Sequence, residues 1–216
     1  MNNTTELPTL ESPIKPSQSL RRHFISLGRQ ILRWSQKMTL DSVSIGVTCL
    51  DSRTGTSTVS FNLAAAISKI IERDVLFVEA DFGKSFLSRR RGAKGPEGLS
   101  EVLTGQLDSS AAIAQLGGQD HLFALAAGKA EEKGSIELPL DNLKTVIDDQ
   151  FSPFDFILFD LPIADGLSAC DSLASQLDGI ILVVEATDID QRRVETFRNR
   201  MQRLGIEIIG LVINKA

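Results

Sequence analysis

The stretch from Ser42 to Ala66 constrains this chain more than any other. It opens as the short run Val43-Ser-Ile-Gly-Val-Thr-Cys49. It then passes through the polar turn Asp51-Ser-Arg-Thr-Gly-Thr-Ser57 and continues as an Ala-rich helical pattern to Ala66. A β-branched run, a Gly-bearing turn and a helix, in that order, predict a strand, a phosphate-cradling loop and a helix whose N-terminus faces the loop. Loops of that kind close on Gly-Lys-Ser/Thr, with the lysine on the β/γ-phosphates and the hydroxyl on Mg²⁺. Here the tripeptide is Gly55-Thr56-Ser57. The frame of a nucleotide site is written in the sequence, and its main cation is not.

The rest of the chain supports the same kind of fold. Short apolar runs alternate with helical patterns from Val43 onward. Strands are expected at Val43–Thr48, Asp74–Glu79, His121–Ala126, Phe154–Asp160, Gly179–Glu185 and Glu207–Ile213. Helices are expected at Thr58–Ile71, Gly98–Gly105, Ser109–Leu116, Leu138–Phe151 and Asp188–Leu204. Continuous apolar strands separated by helices predict an α/β fold, a mostly parallel sheet covered by helices on both faces. The chain has 216 residues, enough for one such domain with a short appendage.

The appendage is N-terminal. Residues 1–18 are polar, with Pro8, Pro13 and Pro16, and read as a disordered arm. Residues 19–41 read as a basic amphipathic helix and linker, and 42–216 as the domain. In the helix Leu20, Phe24, Leu27, Ile31 and Trp34 share one face, while Arg21, Arg22, Arg29, Arg33 and Lys37 occupy the rest. Such a helix either docks on the domain or lies on an anionic membrane surface. The basic loop Arg89–Pro96 reads as a solvated connection.

Charge and composition narrow the function. The net charge of −5 and pI of about 5.1 argue against nucleic acid as the main partner. Cys49 and Cys170 lie far apart, without metal-ligand spacing, and read as reduced thiols packed in the core. No apolar run reaches the roughly 18 residues that span a bilayer, and the N-terminus has no signal-peptide pattern. A cytoplasmic protein is expected.

In a parallel sheet the ligand crevice lies beyond the carboxyl ends of the strands. Those ends collect the loop Leu50–Thr58, then Asp81, Asp160, Glu185 and Asn214. The helix start can accept phosphate through Gly55, Thr56, Ser57 and Thr58. Ser57, Asp81 and Asp160 can hold Mg²⁺, directly or through water, because that ion prefers oxygen ligands. The two carboxylates are also the catalytic candidates. Arg53 and Lys84 are the cations near enough in sequence to stand in for the absent lysine.

These pieces resemble the cytoplasmic P-loop domain of bacterial tyrosine kinases (BY-kinases) of capsule and exopolysaccharide systems, within the MinD/ParA group of deviant-Walker ATPases. The resemblance covers Val43 to Asn214. Phe77-Val-Glu-Ala-Asp81 is similar to the family's strand ending Asp-Ala-Asp. Pro96-Glu-Gly-Leu-Ser-Glu-Val-Leu-Thr-Gly105 is similar to its Pro-Gly-Leu-Ser-Asp-Val-Leu segment. Phe154-Asp-Phe-Ile-Leu-Phe-Asp-Leu-Pro162 is similar to its Walker B strand. Gly210-Leu-Val-Ile-Asn214 places Asn214 where the family has an adenine-contacting Asn.

The departures form a pattern of their own. Thr56 replaces the Walker A lysine, and Asp51 stands at the place of the group's extra signature lysine. Arg53, Leu161, Ile163 and Glu185 also depart, on what reads as one crevice. The chain has no tyrosine to phosphorylate in a tail, and Gln18-Ser-Leu-Arg21 lacks the acid of the family's ring-forming motif. The resemblance therefore implies a cytoplasmic or peripheral inner-membrane scaffold or pseudo-kinase of polysaccharide export, with ATP, ADP and Mg²⁺ binding weakened or lost. Its partner would be an inner-membrane polysaccharide co-polymerase or an active paralogue, in a homo- or hetero-oligomer. The alternatives are a working kinase or ATPase of the same system, and a MinD/ParA-like positioning ATPase held on the membrane by residues 19–38.

Overall fold

The computed structural model describes residues 9–10, 17–38, 42–83, 86–87, 97–129, 138–165, 169–187 and 189–215. Eight strands form one sheet: β1 (Thr9–Leu10), β2 (Val43–Cys49), β3 (Val75–Glu79), β4 (Ala114–Leu116), β5 (Leu122–Leu125), β6 (Phe156–Asp160), β7 (Gly179–Glu185) and β8 (Ile208–Asn214). Their order across the sheet is β1-β4-β5-β3-β6-β2-β7-β8. Every neighbouring pair is parallel except β4 with β5. The expected α/β fold is what forms, with β3, β6 and β2 at its centre. Every residue of β2, β3 and β6 is buried, as a strand covered on both faces requires.

Among the described residues seven helices flank the sheet: α1 (Gln18–Ser35), α2 (Thr56–Ile71), α3 (Leu99–Leu103), α4 (Ser109–Ala112), α5 (Leu143–Gln150), α6 (Ala169–Ala174) and α7 (Gln191–Arg203). Apolar side chains of α1 and α2 pack on one face, around Ile45, Val47, Phe77 and Leu158. Those of α3, α5, α6 and α7 pack on the other, around Leu76, Val78, Ile157 and Phe159. The central strands are thereby sealed on both sides, while β8 at the edge stays partly exposed.

Two regions differ from expectation, and a third decides between two expected readings. Ser109–Leu116 is not one helix: Ile113 turns extended after four helical residues, and Ala114–Leu116 becomes β4. Burial of Ala114 and Leu116 in the α2-side core wins over local helix preference. Within the expected disordered arm, Thr9–Leu10 adds an edge strand along β4 and Ser17 caps α1; the other positions before Ser17 lie outside the described residues. For α1 the docked reading is the one that forms. Its apolar face is already occupied, because Phe24, Gly28 and Ile31 are buried against α2. Trp34 anchors its end by donating from Nε1 to Glu207 Oε1 at 2.7 Å. The face that would have entered lipid is spent inside the protein. No helix among the described residues is long and apolar enough to cross a membrane.

Candidate nucleotide site

β2 hands the chain to a tight loop. Arg53 and Gly55 both have positive φ, 70° and 77°. Glycine is needed at the second, where a Cβ would also come within 2.6 Å of Asn214 Nδ2. α2 begins at Thr56, two residues earlier than expected, and its first internal bond is Val59 N–H to Gly55 O at 2.9 Å. The N–H groups of Thr56, Ser57 and Thr58 thus precede the helical ladder and point out of the helix start. Such a start accepts an anion.

The side chains of Thr54 and Thr56 look inward. Thr56 is buried, and its Oγ1 lies 2.8 Å from Thr54 Oγ1. The position a lysine would use to reach phosphate is closed by a hydroxyl pair. Asn214 donates from Nδ2 to Thr54 O at 2.8 Å, so its amide holds the loop from the far side. Arg193, on α7, pairs with Asp51 at 2.7 Å and donates to Leu50 O at 2.7 Å. The cleft between loop and α7, lined by Thr54, Glu185 and Arg193, has room for ≈ 10 Å³.

On the opposite side of the loop lie the carboxylates. Asp160, at the end of β6, is 1% exposed. Ser57 and Ser60 hydroxyls donate to it, the latter at 3.1 Å. Burial pushes its carboxyl up to about 7. The two hydroxyls offset part of that, and the charges of Glu79 and Asp81 add to it. Asp81 is half-buried and accepts from Gly83 N–H at 3.2 Å. It lines a cavity of ≈ 270 Å³ with Pro162, Ile163, Asp165 and Cys170.

Sequence reasoning misses Glu79. It is the register partner of Asp160 across β3 and β6, and it is fully buried. It accepts backbone N–H groups from Phe86, from Leu87 at 3.1 Å and from Ala127 at 3.3 Å. Burial raises its pKa despite those bonds. A second buried carboxylate stands nearby. Glu101 accepts from Gly98 N–H, Ser100 Oγ and Lys129 N–H. Burial opposes its charge, but the hydrogen bonds outweigh it and hold the carboxyl below the usual range. Leu99 and Ser100 donate in turn to Ala126 O and Ala127 O. A Cβ on Gly98 would meet Ala126 O at 2.1 Å. The segment Gly98–Glu101 and the strap Ala126–Lys129 are one hydrogen-bonded unit. Both glutamates leave a signal, since each is a carboxylate embedded in an apolar run. Arg193 leaves none, since its partner Asp51 is 142 residues away.

The candidates therefore divide. Ser57, Asp81 and Asp160 come together, with Gly55, Thr56 and Thr58 beside them. Glu185 does not join them: β2 separates β7 from β6, and Glu185 faces the cleft toward Arg193. Leu161 also leaves the crevice for the core, 2% exposed. Lys84 and Arg89–Pro96 lie outside the described residues. Cys170 is buried, its thiol pushed up to about 12 by burial, and donates to Thr48 Oγ1; a thiol held there stays protonated and unreactive.

The donor set fits Mg²⁺ with nucleotide in part. Ser57 Oγ, Asp81 and Asp160 supply the oxygens that ion prefers. No group of three or more His, Cys, Asp or Glu among the described residues is arranged to bind metal, so water or phosphate would complete such a shell. When bound, the ion would supply the positive charge that lets Asp160 ionise.

No family model matches the chain. Among relatives, the tyrosine-protein kinase CpsD of Streptococcus agalactiae is 24% identical over 212 residues, covering 98% of this chain and 90% of that protein. An uncharacterised ATP-binding protein of Methanocaldococcus jannaschii is 29% identical over 182 residues, covering 82% of this chain and 66% of that one. Among solved structures, the chimeric protein CapA2B2 superposes with a TM-score of 0.78 at 18% identity, covering 98% and 94% of the two chains. The kinase domain of Escherichia coli tyrosine kinase ETK gives 0.74 at 22%, covering 89% and 75%. The septum site-determining protein MinD of Pyrococcus horikoshii, complexed with Mg-ADP, gives 0.65 at 25%, covering 80% and 70%. The sheet order, the loop between β2 and α2 and these likenesses agree: the chain is similar to the bacterial tyrosine kinases (BY-kinases) and has the P-loop fold that they share with MinD/ParA-like proteins.

Proposed function

We propose that this protein is a regulatory scaffold of capsule or exopolysaccharide synthesis and export, a pseudo-kinase whose nucleotide turnover is weak or absent. One observation carries the reading. At the loop position where a lysine would neutralise phosphate, Thr56 is buried and bonded to Thr54, while Glu79, Asp81 and Asp160 crowd the facing side. A triphosphate would enter a site with a surplus of negative charge. A desolvated phosphate without its charge-assisted hydrogen bond is worse bound by a few kcal/mol. At about 1.4 kcal/mol per factor of ten, the reduction in affinity or rate is on the order of a hundredfold.

Nucleotide binding of reduced strength is part of the proposal. The N–H groups at the start of α2 and the Ser57–Asp160 pair support it. The partner in this reading is an inner-membrane polysaccharide co-polymerase or an active paralogue, engaged from the cytoplasmic side. Calorimetric titration of Mg·ATP and Mg·ADP into the protein tests the proposal. Binding at high micromolar to millimolar concentration, with no turnover, is expected. Tight binding with phosphate release sinks it.

A working kinase or ATPase is the second reading, favoured by the intact Ser57, Asp81 and Asp160 set. It requires Arg53 or Lys84 to replace the lysine. If Arg53→Ala and Lys84→Ala leave nucleotide affinity unchanged, that reading fails. A MinD/ParA-like positioning ATPase held on a membrane by residues 19–38 is the third reading; the apolar face of α1 would not be its anchor, because that face is docked on α2.

A further inference from the structure

We infer that the outer face of α1 is an electrostatic docking surface for an anionic lipid bilayer. The charges are already separated in the sequence. Residues 12–40 contain no Asp or Glu, but carry Lys15, Arg21, Arg22, Arg29, Arg33 and Lys37. The chain is −5 overall, so this +6 segment leaves −11 on the remainder. An acidic protein thus carries one segment with cations and no acid.

The structure turns that segment into a surface. Arg22, Arg29 and Arg33 are seven and four residues apart, which places them within about 40° of one another around the helix and along about 16 Å of its length. Phe24 and Ile31 lie on the opposite side, buried against α2. The three arginines and Lys37 are exposed, and no carboxylate pairs with them among the described residues. α7 provides the internal control. It is as arginine-rich, yet three of its five arginines are answered by acids: Arg193 by Asp51, Arg198 by Glu195 and Arg200 by Asp171. Where this fold uses arginine for structure, it supplies an acid. To Arg22, Arg29 and Arg33 it supplies none among the described residues.

The geometry favours a flat partner. The stripe runs straight along one helix, so a planar array of headgroups can meet all four cations at once. The apolar face stays inside the protein, so adsorption is electrostatic and salt-sensitive, without insertion of Phe24 or Trp34. The surface acts without the nucleotide site and does not depend on the scaffold reading.

The test is flotation of the full chain with vesicles of phosphatidylcholine alone or mixed with phosphatidylglycerol, at low and high salt. Binding to the anionic vesicles alone, released by salt, is expected. Each surface cation contributes about fivefold to partitioning, so the variant Arg22→Gln/Arg29→Gln/Arg33→Gln should lower it about a hundredfold. The triple Arg→Lys variant should keep it, as should the α7 variant Arg192→Gln/Arg203→Gln. Equal binding to neutral vesicles, no binding by the native chain, or a triple Gln variant that still floats overturns the inference. So does capture by polyglutamate in the absence of any vesicle binding, which would assign the stripe to an acidic polypeptide.

Discussion

Two carboxylates sit side by side at the centre of this molecule and do opposite work. Glu79 and Asp160 are register partners on neighbouring strands, and both are buried. Glu79 meets three backbone N–H groups, from Phe86, Leu87 and Ala127. Asp160 meets two hydroxyls, from Ser57 and Ser60. Backbone donors belong to segments that must be held somewhere, so Glu79 ties the turn after β3 and the strap after β5 to the sheet. Hydroxyls can rotate to another acceptor, so Asp160 is left ready for a ligand. A buried carboxylate wired to the backbone is architecture. One wired only to serines is the candidate for binding a ligand.

The largest effect that can break this contrast is loss of Glu79. In Glu79→Ala three buried N–H groups lose their acceptor, at about 1–3 kcal/mol each where water does not replace it. A loss of about 3–5 kcal/mol is expected, a large share of a domain's stability. Urea denaturation followed by fluorescence of Trp34 measures it. Glu79→Gln should cost less, since one amide oxygen remains for Phe86 and Leu87 while the NH₂ group faces Ala127. If Glu79→Ala is as stable as the native protein, the architectural role is wrong.

Asp160→Asn should move stability the other way. The folded carboxyl sits at about 7, against about 3.9 in the unfolded chain. A raised folded pKa means that the folded state binds the extra proton between these values. Its contribution is full below pH ~4 and is lost as pH rises through ~7, at about 1.4 kcal/mol per unit. The ligand-free protein should therefore lose a few kcal/mol of this contribution from pH 4 to 7. The substituted amide cannot titrate, so that portion of the slope should vanish, and the variant should be more stable than the native chain at pH 8 by about 1–3 kcal/mol. Denaturation midpoints across pH test both sign and size.

What can be read from sequence follows the same division. The strands are readable because β2, β6 and β7 are apolar runs bounded by polar turns, and parallel pairing buries both of their faces. The loop, Asp81 and Asp160 are readable because they fall where such strands end. The partners are not. Glu79 takes its donors from seven to 48 residues away, and Arg193 takes its acceptor from 142 residues away. Pairings of that range are set by packing. Ser109–Leu116 misleads for the same reason: β4 exists because β5 is beside it, and no local preference in Ala-Ala-Ile-Ala announces that.

Thr56→Lys sharpens the contrast from the side of the site. It places a cation beside Ser57, which donates to Asp160, where it should pull that carboxyl down toward its ordinary value and leave the backbone bonds of Glu79 untouched. Affinity for Mg·ATP should rise by about tenfold to a hundredfold, read by calorimetry. An unchanged affinity would mean that the loop is closed to phosphate for a reason other than charge, with the hydrogen bonds of Asn214 and Arg193 the first to examine.

The smallest effect is also the most selective. Ser60 is buried, and its hydroxyl lies within bonding distance of both Ser57 O and Asp160 Oδ1. In Ser60→Ala the carboxyl keeps only Ser57. While Asp160 is protonated, the missing bond is between neutral groups and worth about 0.5–1.5 kcal/mol. Once it ionises the bond is charge-assisted, at about 1.5–3 kcal/mol. The cost of Ser60→Ala should therefore grow as pH rises through 7, and the pKa of Asp160 should climb further, visible as a shifted carboxyl resonance in ¹³C NMR. A pH-independent cost would mean that the hydroxyl serves the α2 backbone through Ser57 O, and the distinction between the two carboxylates would rest on Glu79 alone.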